Sequence, residues 1–230
     1  MTAAGYDAYI TGFVPEYAVM QQRVVDAVAA LLPGPGPVAV IEVGVGTGAL
    51  AFRMLSALDL SRYYGFESSP ELAALASARL SVFAAKVTVS RRDFRRSSWP
   101  SGVNAVVSTL TFHYLSNAEK RDAFRKAFRA LSPGGVLVIG DRVISAARRI
   151  NSIYRGRMRK FWQRTTRSWT PGDRKRHKTF DDPHEAPWTL DDQLQWLREA
   201  GFEAVECIWK DYNYCVFCGM KPVGAQRAKS

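Results

Sequence analysis

Long apolar runs are missing from this chain of 230 residues. None approaches the ~20 residues that a membrane-crossing helix requires. The N-terminus, Met-Thr-Ala-Ala-Gly-Tyr-Asp, lacks the basic stretch followed by an apolar one that marks a secretory leader. Cysteine is scarce and odd in number: Cys207, Cys215 and Cys218 fall late in the chain in strand-like contexts. Cys215 and Cys218 resemble a redox pair, but residues three apart on a strand face opposite sides, so packing thiols in a reducing cytoplasm are the expectation. Histidine is scarcer in effect, because His113, His177 and His184 are scattered and no neighbouring acids supply metal-ligand spacing. No metal is expected. Internal repeats are also absent.

Acids are nearly missing from one segment. Between Arg142 and Lys178 there are thirteen Lys/Arg residues and a single acid, Asp173, whereas the rest of the chain holds nineteen basic against twenty acidic residues. The net charge of +11 is therefore local. Arginines interleaved with aromatics suit RNA phosphates and bases; a small acidic molecule, an acidic carrier protein or coenzyme A could be steered by the same field. A merely solvated arginine-rich helix is the third reading.

What is present is an alternation of strands and helices around residues 38–50. Val38 to Ile41 reads as a strand buried on both faces. Glu42, three alternate glycines (Gly44, Gly46, Gly48) and a helix from Ala49 to Leu58 follow. Such a turn lets a ligand approach the backbone and offers helix N–H groups to it, and also fits a dinucleotide fingerprint. Residues 1–37 are expected to form an arm, holding Tyr6, Tyr9, Phe13 and Tyr17 without clear periodicity, and then a helix marked by Tyr17, Met20, Val24, Val28 and Leu31. Further strands are expected at 63–66, 86–90, 103–108 and 136–140. Helices are expected after Ser69-Pro70, from Asn117, from about Val143 to Trp162 and from Leu190 to Ala200, with loop at 165–185. Strands 202–208 and 212–220 are joined too closely to be parallel. One domain over 1–222 is expected, with a basic lid at 142–185 and a disordered tail at 223–230.

The ordered set is similar to class I S-adenosylmethionine-dependent methyltransferases. It comprises Glu42 before the glycines, Glu67 ending the second strand, Asp93-Phe94 after the third, Leu131-Ser-Pro-Gly-Gly135 before the fifth and the terminal hairpin. The resemblance implies an α/β, Rossmann-like seven-stranded sheet, parallel apart from one antiparallel terminal strand. It implies S-adenosyl-L-methionine as cofactor, held by Glu42, Gly44, Gly46, Gly48, Glu67, Ser68, Asp93, Phe94 and Ser108, and S-adenosyl-L-homocysteine as product. Glu67 matches the acid that accepts both ribose hydroxyls, and Asp93 the acid that takes the adenine amino group. A dehydrogenase would share Glu67 but not the later motifs.

His113 stands on the loop after strand four, where a histidine's ordinary titration near neutrality suits a base; a histidine that merely holds the loop is the competing reading. On the acceptor side the candidates are Tyr6, Tyr9, Asp141, Arg142, Tyr154 and Trp162. The expected acceptor is a small aromatic or acidic metabolite of secondary metabolism. The overall size and N-terminal Tyr-Asp also resemble the group that carboxymethylates the tRNA wobble uridine, which keeps RNA, reached through 142–178, as the alternative. A cofactor-binding protein of this fold that transfers no methyl group is a third possibility, and a homodimer is allowed.

Overall fold

The computed structural model describes residues 3–32, 34, 36–166 and 187–224. Seven strands form one sheet: β1 (Val38–Val43), β2 (Leu60–Phe66), β3 (Val87–Ser90), β4 (Val103–Thr109), β5 (Leu131–Arg142), β6 (Glu203–Asp211) and β7 (Tyr214–Met220). Their order is β3-β2-β1-β4-β5-β7-β6, with β7 antiparallel to both neighbours and the strands from β3 to β5 parallel. The terminal hairpin therefore inserts its second strand between β5 and β6. Asn104 serves packing, as its side-chain oxygen accepts the Ala39 N–H at 2.8 Å and ties β4 to β1.

Helices cover both faces. On one, α2 (Tyr17–Leu31), α3 (Ala49–Ala57) and α6 (Arg148–Thr165) pack Met20, Val24, Leu50, Met54, Tyr154 and Met158 against Val40, Val107 and Val138. On the other, α5 (Asn117–Ala130) and α7 (Leu190–Glu199) pack Phe124, Ala127, Trp196 and Leu197 against Ile41, Val106 and Leu137. Side-chain alternation along β7 sends Cys215 into the second layer and Cys218 into the first, which keeps their thiols apart.

Local chemistry sets several helix starts. In α4 (Pro70–Arg79), the Ser69 hydroxyl accepts the Leu72 N–H and proline occupies the first turn. Ser116, rather than Asn117, caps α5 through a reciprocal box with Glu119. Three expectations change. The arm is a helix, α1 (Ala3–Phe13), because Tyr6, Tyr9, Ile10 and Phe13 lie at steps of three and four that put them along one side. Leu131-Ser-Pro-Gly-Gly135 belongs to β5 rather than preceding it. Finally, α6 begins at Arg148 rather than Val143, and of its apolar set only Tyr154 and Met158 are buried, while Ile150 is exposed. The expected loop at 165–185 and the tail lie outside the described residues, apart from 165–166 and 223–224.

Candidate active site

The carboxyl ends of β1, β2, β4 and β5 open onto a cavity of about 460 Å³, roofed by α1 and the start of α2. This is the rim where open α/β sheets bind ligands. At Gly44 (φ 75°) the chain leaves β1, and a β-carbon there would fall 2.0 Å from Thr111 Oγ1, so the glycine turn and the β4 loop close together only without one. Gly46 (φ 58°) has open space where its β-carbon would stand, on the cavity wall. Glu67 braces this turn: one carboxylate oxygen accepts the Gly46 N–H at 2.9 Å, the other the Ser69 N–H at 2.8 Å. Each oxygen has a second lone pair left for a ligand hydroxyl.

Glu42 is 1 % exposed at the end of β1, where the Tyr63 hydroxyl donates to it at 2.7 Å. Burial pushes its carboxyl up to about 8, against the opposing pull of the Tyr63 hydrogen bond. At the opposite end of the wall, Arg95 grips both oxygens of Asp93 and also reaches Glu119 at 2.6 Å. These hydrogen bonds hold the Asp93 carboxyl below its ordinary value. Phe94 is buried beside it, with Trp99 edge-on.

His113 sits in a short 3-10 turn, Phe112–Tyr114, after β4. Its backbone N–H donates to Asp141 Oδ2 at 3.1 Å and its ring Nδ1 lies 2.6 Å from Asp141 Oδ1. A carboxylate partner places the ring proton on Nδ1 and leaves Nε2 as the basic nitrogen. Asp141 Oδ1 also accepts the Arg142 N–H at 2.6 Å. Below this turn, Lys120 is fully buried and donates to Leu115 O at 2.7 Å; burial lowers its ammonium to about 8.

The cavity thus gathers Glu42, Gly44, Gly46, Glu67, Ser68, Asp93 and Phe94 from the expected cofactor set, and Tyr6, His113 and Arg142 from the rest. The other expected residues are not among those lining it. Gly48 instead begins α3, and the Ser108 hydroxyl donates to Val43 O, locking β4 to β1. Asp141 lies behind His113 rather than facing an acceptor. Tyr9 stacks on Phe13 and Trp162 donates to Phe13 O at 2.8 Å, so these two buttress the roof from outside, whereas the Tyr154 hydroxyl accepts from Lys210 and ties α6 to β6. The sequence reading missed Ile10, Gln21, Thr111 and Tyr214 in the wall. It also missed the latch of α1: Asp7 accepts the Thr47 hydroxyl at 2.7 Å and Arg79 Nη2 at 2.5 Å. Among the described residues no three His, Cys, Asp or Glu side chains converge as metal ligands, and no helix is long and apolar enough to cross a membrane.

Residues 40–135 match the family described as a methyltransferase domain. An uncharacterized methyltransferase of Bacillus cytotoxicus is 36% identical over 104 residues, 45% of this chain and 47% of that protein. One from Bacillus thuringiensis is 33% identical over 106 residues, 46% and 48% respectively. The chain therefore matches about half the length of these relatives. Among solved structures, the apo S-adenosylmethionine-dependent methyltransferase SibL has a TM-score of 0.61 at 22% identity, covering 91% of this chain and 60% of that one. The [4+2]-cyclase SpnF has a TM-score of 0.62 at 19% identity, covering 88% and 82%. These two structures speak to the fold. With the sheet order and the glycine turn, the matches make residues 40–135 similar to the methyltransferase-domain family, whose S-adenosylmethionine-dependent members share this fold. The wall fits the cofactor of that family: a glycine turn with space beside Gly46, and acids spaced along it at Glu42, Glu67 and Asp93.

Proposed function

We propose that the whole chain is a methyltransferase that uses S-adenosyl-L-methionine and accepts a small, aromatic or acidic molecule. The observation that carries this reading is that His113, backed by Asp141, opens on the same cavity as Glu67 and Asp93. When bound, the cofactor supplies an electrophilic methyl group on a positively charged sulfur. Glu67 would hold the ribose hydroxyls and Asp93 the adenine amino group, while Glu42, beside the glycine turn, would meet the cofactor's ammonium. His113 Nε2 takes the proton of an acceptor hydroxyl or amine, and Asp141 steadies the imidazolium that results. Tyr6, Phe13 and Tyr214 give this wall the aromatic surface that suits a planar acceptor.

The test uses methyl-labelled S-adenosylmethionine and an extract of the source organism, separated by mass and nuclease sensitivity. Label in a low-mass, nuclease-resistant fraction is expected. Nuclease-sensitive label in large material would overturn the small-molecule acceptor. Tight cofactor binding with no label in any fraction would favour the reading in which this fold transfers no methyl group.

A further inference from the structure

On α6 the sequence concentrates seven basic residues and no acid within eighteen positions. Like charges three and four apart on a helix repel, so this clustering works against the helix. The buried side of the helix is set by Tyr154 and Met158, so Arg149, Ile153, Gly156, Lys160 and Arg164 fall at successive turns on the opposite side. Arg149, Lys160 and Arg164 are exposed there, and Ile153 is 51% exposed.

This side is shaped as well as charged. Ile153, Gly156, Arg157, Lys160, Arg164 and Tyr212 line a shallow groove between α6 and the β6–β7 turn. Arg157 lies 4.3 Å over the Tyr212 ring and pairs with Asp211 at 2.5 Å, which presents the half-exposed ring beside a fixed guanidinium. A β-carbon at Gly156 would meet nothing within 4 Å, so no contact within the described structure requires the glycine, although glycine in a helix interior is less favourable than alanine. Bare backbone on the floor of a cationic groove gives a bulky chain room to approach closely.

We propose that this groove binds single-stranded RNA, with Lys160 and Arg164, one turn apart, on neighbouring phosphates, Arg149 on a phosphate further along the same side of the helix, and Tyr212 offering a face or edge to a base. A row of cations along one side of a helix, joined to an aromatic, is the combination that such strands use. The proposal rests on α6 and Tyr212, is independent of what the cavity methylates, and does not require the RNA to be the acceptor.

The probe is a fluorescein-labelled oligouridylate of twelve nucleotides, titrated by anisotropy into the full-length protein from about 50 to 300 mM salt. Replacing Arg149, Lys160 and Arg164 with glutamine should flatten the log–log salt slope by about 2 and weaken binding on the order of a hundredfold near 0.1 M salt, at ~0.7 per phosphate contact. Tyr212→Ala should weaken binding several-fold with the slope unchanged. A control triple, Arg23, Arg62 and Arg129 to glutamine, removes the same charge from exposed sites elsewhere and should change affinity less than threefold. Circular dichroism and cofactor affinity report whether each variant stays folded. Equal losses in the two triples would overturn the proposal. So would polyglutamate of matched charge competing as well as the oligouridylate, because acidic polypeptide would then serve the groove equally.

Discussion

Glu42 enters the fold as a protonated acid. In the unfolded chain a glutamate titrates near 4.5, whereas burial holds the proton on Glu42 to about 8. Between those values the folded state binds more protons, so stability falls as pH rises from about 4.5 to about 8 and levels off above. Glu42→Gln should remove this slope and raise stability at pH 8 by on the order of a few kcal/mol, read from urea midpoints at pH 5 and 8. A cationic ligand beside Glu42 should draw its proton off, so cofactor binding at pH 7 should release a proton, visible as a buffer-dependent heat in calorimetry. The same scale holds the His113–Asp141 pair. His113→Ala should lower turnover by roughly 10²–10⁴-fold with cofactor affinity unchanged. Asp141→Asn should lower it in parallel by freeing the ring from its tautomer. Unchanged turnover in both would leave the pair as a clasp between the β4 loop and β5.

At the scale of elements, α1 acts as a latched roof. Asp7 is joined to Thr47 on the glycine turn and to Arg79 on α4, and the ion pair is largely sheltered, with side chains 18% and 30% exposed. Asp7→Ala should cost about 1 kcal/mol of stability and speed cofactor release several-fold, measured by stopped-flow displacement. The Ser116 box at the start of α5 reaches the cavity wall only through Glu119, which bonds the Arg95 that holds Asp93. Ser116→Ala should therefore lower the melting temperature by about 2–4 °C and weaken cofactor binding less than Glu119→Ala does, read by calorimetry. These elements also show how legible the chain was. Ser69-Pro70 announced α4 because capping is local chemistry. The helix at α1 was hidden because Gly5, Thr11 and Gly12 are poor helix formers within only eleven residues, too short a window for the spacing of Tyr6, Tyr9, Ile10 and Phe13 to stand out.

At the scale of the molecule, the sequence by itself determined the alternation of strands and helices, the glycine turn with its preceding acid, Glu67 at the end of β2 and the confinement of excess positive charge to 142–178. Each is written in neighbouring residues, through side-chain period, backbone freedom at glycine, or composition. Tertiary structure alone decided which polar groups meet. Pairing of Thr109 with Gly140 across β4 and β5 brings Asp141 under His113, 28 residues away. The crossing of α1 over α4 brings Asp7 to Arg79, 72 residues away. It also decided which aromatics face the cavity: Tyr6 and Phe13 do, Tyr9 and Trp162 support Phe13 from behind, and Tyr154 packs toward the β6–β7 hairpin instead. Register and helix rotation select among equally apolar side chains through packing against distant elements, and no local pattern carries that choice.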